Sequence, residues 1–221
     1  MAISIVVTQA SQFGATGGTS VGINTTGADL IVVALEYRRA SGSNLSDSKG
    51  NVWTALTDYQ EASSNSAVRM YYCSNPTVGS GHTFTTTSTF SGLCVVAVSG
   101  ARTATSPFDQ QNGSTGGTSS NPQGPGSITP SVNGCLVVTG FYQATTGSAP
   151  SLPSGYNLVG TWPTATAFLG GVAYVIQTTA TATNPGWGPG NVGATYATNI
   201  ASFMPPAVAP TTNGKFFFLF G

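Results

Sequence analysis

The sequence predicts an all-β protein, a two-sheet antiparallel β-sandwich, on three observations. Helix formers are nearly missing: Lys occurs only as Lys49 and Lys215, and Glu only as Glu36 and Glu61. No segment keeps apolar residues at i, i+3, i+4 and i+7, the spacing a helix needs to bury one face. Short runs rich in Val, Ile, Thr, Tyr and Phe recur instead, with Gly, Pro, Asn and Ser between them. That is the pattern of strands and turns.

In chain order the expected strands are 3–8, 30–38, 52–57, 67–73, 82–87 and 93–99. A second series covers 135–143, 156–161, 171–178 and 195–204. Leu30-Ile31-Val32-Val33 and Leu136-Val137-Val138 are apolar on both faces. Such strands belong at sheet centres with both sides covered. Glu36 and Arg38 share one face where the first of these runs ends, and a strand-end ion pair is expected there.

The two series echo each other. Sliding the chain by 105 residues places Leu30-Ile31-Val32-Val33 on Cys135-Leu136-Val137-Val138, Tyr37 on Tyr142, Gly50 on Gly155 and Val95 on Ile200. One strand pattern used twice is expected, as two Greek-key halves of a sandwich would require. Between the halves, 103–130 reads as one long loop. A second loop, 183–193, holds Trp187 among Gly and Pro, so Trp187 is expected exposed at its tip.

The chain reads as one sandwich domain, 1–206, and a Pro-linked apolar tail, 207–221. Pro205-Pro206-Ala207-Val208-Ala209-Pro210 is a stiff extended linker, Asn213-Gly214 a turn signal, and Phe216, Phe217, Phe218, Leu219 and Phe220 follow. Burying each of these side chains is worth roughly 1.5–3 kcal/mol, so the tail is expected to be covered. Three destinations are open: a further strand of its own sandwich, insertion into a neighbouring subunit or a partner sheet edge as an assembly interface, or a lipid-facing peptide.

Composition excludes several functions. Charged residues make up 5% of the 221, with a formal net charge of zero. The six basic residues are mostly scattered, without the clustering that phosphate binding needs, so no nucleic-acid partner is expected. No apolar run approaches the roughly 20 residues of a membrane span. The N-terminal segment 1–7 lacks a basic n-region and reads as a strand, so no signal peptide is expected. A neutral Ser/Thr/Gly-rich β protein fits an extracellular setting or a packed assembly better than a free cytosolic one.

No enzyme is expected. His82 alternates like a strand residue, and no nucleophile elbow accompanies it. Asp58 and Glu61 sit in a polar loop and do not suggest a paired-carboxylate site. Cys73, Cys94 and Cys135 lack metal-ligand spacing and read as small buried hydrophobes. Asp47-Ser48-Lys49-Gly50-Asn51 offers oxygens in a turn, but Lys49 is unfavourable beside a cation. No metal and no cofactor are therefore expected. Ligand binding falls to the aromatics. Trp53 reads as core, whereas Trp162, before a proline, and Trp187 read as exposed. With Tyr156 they form a candidate platform for stacking on surface glycans.

The segment Asp47-Ser48-Lys49-Gly50-Asn51-Val52-Trp53-Thr54 resembles the D-S-x-G-N-x-[WY]-T turn-strand of a loose group of β-sandwich domains. These occur in bacteriophage virion proteins and secreted bacterial proteins. The likeness continues through Val68-Arg69-Met70-Tyr71-Tyr72-Cys73-Ser74-Asn75-Pro76, Gly81-His82-Thr83-Phe84-Thr85, Val95-Val96-Ala97-Val98-Ser99-Gly100 and Pro107-Phe108-Asp109. Its motifs are structural and carry no active site. The resemblance implies a jelly-roll-like sandwich. With the neutral charge, it implies a non-enzymatic virion structural protein, a capsid decoration or a head or tail fibre component. Such a protein would be a homo-oligomer on the virion surface, in contact with other virion or assembly proteins. A glycan-binding module, using the loop aromatics, is the alternative.

Overall fold

The computed structural model describes residues 2–63, 65–116, 122–162, 168–188 and 194–207. Among them lie fourteen strands and one 3-10 turn, Arg39–Ser41. The first half holds β1 (Ser4–Phe13), β2 (Gly18–Thr19), β3 (Leu30–Arg38), β4 (Ser46–Asp47), β5 (Thr54–Ala55), β6 (Tyr59–Glu61), β7 (Ser66–Ser74), β8 (Phe84–Thr86) and β9 (Ser91–Ser99). The second holds β10 (Phe108–Gly116), β11 (Leu136–Gln143), β12 (Asn157–Trp162), β13 (Leu169–Ile176) and β14 (Tyr196–Phe203). Every pairing is antiparallel.

Each half builds one main sheet. The first runs β1-β9-β3-β7-β5, with β6 also on β7, and the second runs β10-β14-β11-β13-β12. The order is the same: first strand, last strand, then the centre and the far edge. The sequence echo is thus a duplicated sheet. The all-β class and two packed antiparallel sheets are as expected. The chain finishes one sheet before starting the other, which is not the interleaved winding that the term jelly-roll implies.

Register shows where the ungapped slide slips. Both edge strands carry a bulge near their start, between Ile5 and Val7 in β1 and between Phe108 and Gln110 in β10. Counting from these, Val98 matches Phe203, and Val95 matches Ile200 as the slide has it. Leu30, opposed by Val98 and Ser74, then matches Leu136, opposed by Phe203 and Ile176, and not Cys135. Glu36 accordingly matches Tyr142. Side chains alternate along a strand, so a slip of one residue would exchange inner and outer faces.

The double-faced apolar runs are explained by three layers of packing. Between the sheets, Leu30, Val32 and Ala34 meet Leu136, Val138 and Tyr142. On the outer face of the first sheet, Ile31, Val33, Leu35 and Tyr37 pack under Phe84 and Trp53. Phe84 comes from the small sheet β2-β8-β4, which caps that face. On the outer face of the second sheet, Phe141 and Ala173 pack under Trp187. Central strands buried on both sides are apolar throughout for this reason.

Two expectations about loops are corrected. The stretch 103–130 is not one loop, because β10 lies inside it and pairs with β14. Phe-Asp-Gln-Gln-Asn-Gly-Ser-Thr-Gly has no apolar alternation, and only tertiary pairing makes it an edge strand. The described part of the loop holding Trp187, residues 183–188, does not project. It is tied down by bridges from Gln123 to Trp187 and from Ile128 to Thr183.

Candidate functional site

Three groups of side chains bear chemistry, and the first lies between the sheets. Glu36, on the inner face of β3, is fully buried. Its Oε2 accepts from Trp162 Nε1 at 2.5 Å, and its Oε1 from the Phe141 backbone N–H at 3.2 Å. Both donors belong to the second sheet. Burial pushes the carboxyl up to about 8, against the pull of these two bonds, because a charge has little solvation there. Glu36 is therefore a neutral acid at pH 7. Space for it comes from glycine: a Cβ on Gly170 would lie 2.7 Å from Glu36 Oε2 and 2.5 Å from the Trp162 ring. The expected ion pair with Arg38 does not form. Glu36 faces the second sheet, while the Arg38 guanidinium stacks 4.1 Å from the Phe90 ring centroid.

A second group ties the cap to the first sheet. His82 is fully buried; its Nε2 bonds Asp47 Oδ1 at 3.0 Å and its Nδ1 bonds Thr25 Oγ1 at 3.0 Å. The row Asp47–His82–Thr25 has the connectivity of a catalytic triad. All three side chains are buried, and the His82 ring stacks on Phe84 at 4.4 Å, so a substrate has no approach to Thr25. Burial lowers the imidazole pKa, outweighing Asp47. Asp47 also accepts from the N–H groups of Lys49 at 2.8 Å and Asn51 at 3.2 Å, and from Trp53 Nε1 at 2.7 Å. The turn that offered oxygens to a cation has thus given them to protein donors. No cluster of three metal-ligating side chains occurs among the described residues.

The third group lines a cavity of about 630 Å³ formed by 100–105, Asp29, Pro206 and Ala207. Asp29 fixes its floor, with Oδ2 accepting from Gly100 N at 2.7 Å and Oδ1 from Ala101 N at 3.0 Å. Gly100 has φ +74°, and a Cβ there would lie 2.2 Å from the Ala2 carbonyl oxygen. Only glycine lets the chain turn there against the segment that leads into β1. Arg102 Nε is buried without a hydrogen-bond partner, although the Arg102 backbone N–H is bonded to Met204 O at 2.9 Å.

The aromatic platform is not assembled. Trp162 is 3% exposed and Trp187 0%, which corrects the expectation that both face solvent. Trp162 fills the gap between the sheets, where Gly92 and Gly170 leave room for its ring. Trp187 covers Phe141 and donates to Thr139 Oγ1 at 3.2 Å. Tyr156 is half-buried, its hydroxyl bonded to Thr183 Oγ1 at 2.9 Å. Cys73, Cys94 and Cys135 are free thiols, all buried. Phe216, Phe217, Phe218, Leu219 and Phe220 lie outside the described residues.

Sequence reasoning passed over Glu36, Asp29 and Arg102 as sites. For Glu36 the signal was present: one acid inside Leu-Ile-Val-Val-Ala-Leu-Glu-Tyr. The chain matches no known protein-family model, no curated protein and no solved structure. No helix among the described residues is long and apolar enough to cross a membrane.

Proposed function

We propose that this protein is a non-enzymatic structural protein of a virus particle, a capsid decoration or fibre component that assembles with copies of itself. The observation that carries this reading is β1. It is a ten-residue strand with no charge and no proline, Ser-Ile-Val-Val-Thr-Gln-Ala-Ser-Gln-Phe. It stands at the edge of its sheet and pairs, among the described residues, only with β9. Proteins that stay monomeric blunt such edges with Lys, Pro, bulges or short strands; β1 has only the bulge between Ile5 and Val7, and from Val7 to Phe13 its register is regular. A free, uncharged edge is a template for strand addition. Supporting this, Glu36 and the Asp47–His82 pair join layers of the fold, which suits a rigid, neutral body. The virion setting is supported by the resemblance around Asp47–Thr54.

Light scattering on the full chain tests the reading. Assembly should persist from low to high salt, since little of it is ionic. Ser11→Lys should place a charge on the edge strand and dissociate the assembly without unfolding the sandwich. A chain that is monomeric at all concentrations, or that falls apart steeply as salt rises, would sink it.

A further inference from the structure

We propose that the cavity at 100–105, Asp29 and Pro206–Ala207 receives the apolar 216–220 segment of a second copy of the chain. This rests on the assembly reading above and names its receptor. The walls are mostly apolar, and Ala104 at the rim is exposed. The last described residues, Pro206 and Ala207, are themselves part of the wall. The tail therefore starts at the cavity, and its Phe-rich end lies nine residues further on at Phe216.

Reach and chemistry favour a neighbour's cavity over the chain's own. Nine extended residues cover about 30 Å, against a radius of gyration of about 17 Å for a domain of this length. Pro205, Pro206 and Pro210 favour a stiff, extended chain over a fold back. A return by a hairpin at Asn213-Gly214 with a two-residue turn would set Thr212 against Lys215 and Pro210 against Phe217, both at hydrogen-bonded positions. Pro210 has no N–H to give, so the returning strand loses a ladder bond there.

One further feature suits an incoming peptide. The cavity adjoins the free edge: Gly100 follows Ser99, which pairs with Ser4 at the start of β1. A tail seated in the cavity can thus continue along β1 as an added strand. Phe216, Phe218 and Phe220 would then share one face, as alternation requires.

Cross-linking between full-length chains tests this. An affinity-tagged Ala104→Cys chain is mixed with an untagged Phe218→Cys chain and treated with a short bismaleimide. The native thiols are buried and react slowly. Tagged Leu158→Cys, exposed on β12, serves as the collision control. The expected result is a tagged–untagged dimer several-fold more abundant with Ala104→Cys than with the control. Ala104→Trp, which fills the cavity, should lower the oligomer mass in light scattering. Suppose instead that the Ala104→Cys/Phe218→Cys double variant cross-links within one chain and the mixture gives no dimer. The tail then occupies its own cavity, and the proposal fails. An oligomer that forms with neither cross-link leaves the assembly reading standing and overturns the cavity as receptor. A wild-type monomer overturns both.

Discussion

Trp162 Nε1 donates to Glu36 Oε2 at 2.5 Å across the gap between the two sheets. One sheet supplies an acid, the other an indole, and glycines on both sheets make the space. A Cβ on Gly92 would lie 2.1 Å from the Trp162 ring. This seam is where the duplication breaks its own symmetry, since the position matching Glu36 in the second half is Tyr142. Its hydroxyl crosses back to donate to the Phe90 carbonyl at 2.8 Å.

The Glu36 carboxyl makes stability depend on pH. Its folded pKa is raised to about 8 by burial, above the ordinary unfolded value of about 4.3. Between these values the unfolded chain has lost the proton that the folded chain keeps. The stability that Glu36 contributes should be complete below about pH 4, fall by a few kcal/mol as pH rises to about 8, and level off above. Glu36→Gln should remove this slope and be the more stable protein at pH 9. Urea midpoints at pH 5, 7 and 9 check it, and an unchanged slope in Glu36→Gln would show that another group titrates.

Gly92→Ala should destabilise by about 1–3 kcal/mol, because the new methyl overlaps Trp162 and the seam is tightly packed. Trp162→Leu in the same chain should recover part of that loss. A double-mutant cycle measures the coupling. Additive costs would mean that the clash is relieved elsewhere.

Asp47→Ala should cost about 3–5 kcal/mol, since it leaves donors on buried His82 and on half-buried Trp53 and Asn51 without this acceptor. The loss should be felt first in the cap over the outer face. Hydrogen exchange at β4 and β8 should accelerate more than at β11 or β14. Equal acceleration throughout would place Asp47 in the cooperative core instead.

Trp187→Ala should cost about 3–5 kcal/mol through the cavity left over Phe141. Thermal melting checks this. A variant of wild-type stability that has lost binding on a glycan array would restore the ligand-platform reading of Trp187.

The sequence by itself determined the class and much of the plan. Alternating Val, Ile and Thr runs with Gly and Pro breaks require strands, and the run at Leu30 had to be covered on both faces. The echo of Val95 in Ile200 is a true match, and Gly50 and Gly155 both adopt the positive φ of turn glycines ahead of β5 and β12. Tertiary structure decided the rest. The polar β10 is a strand only because β14 pairs with it. The register that matches Leu30 to Leu136 needs a one-residue gap between the central and last strands of the two halves, which a gapless slide cannot place. Trp162 and Trp187 sit beside Gly and Pro in sequence, yet both are buried because distant glycines, Gly92 and Gly171, leave room for their rings. Glu36 is a neutral clasp because a second sheet removes its water. Local pattern fixes which way a side chain alternates, and only the partner layer fixes what it meets.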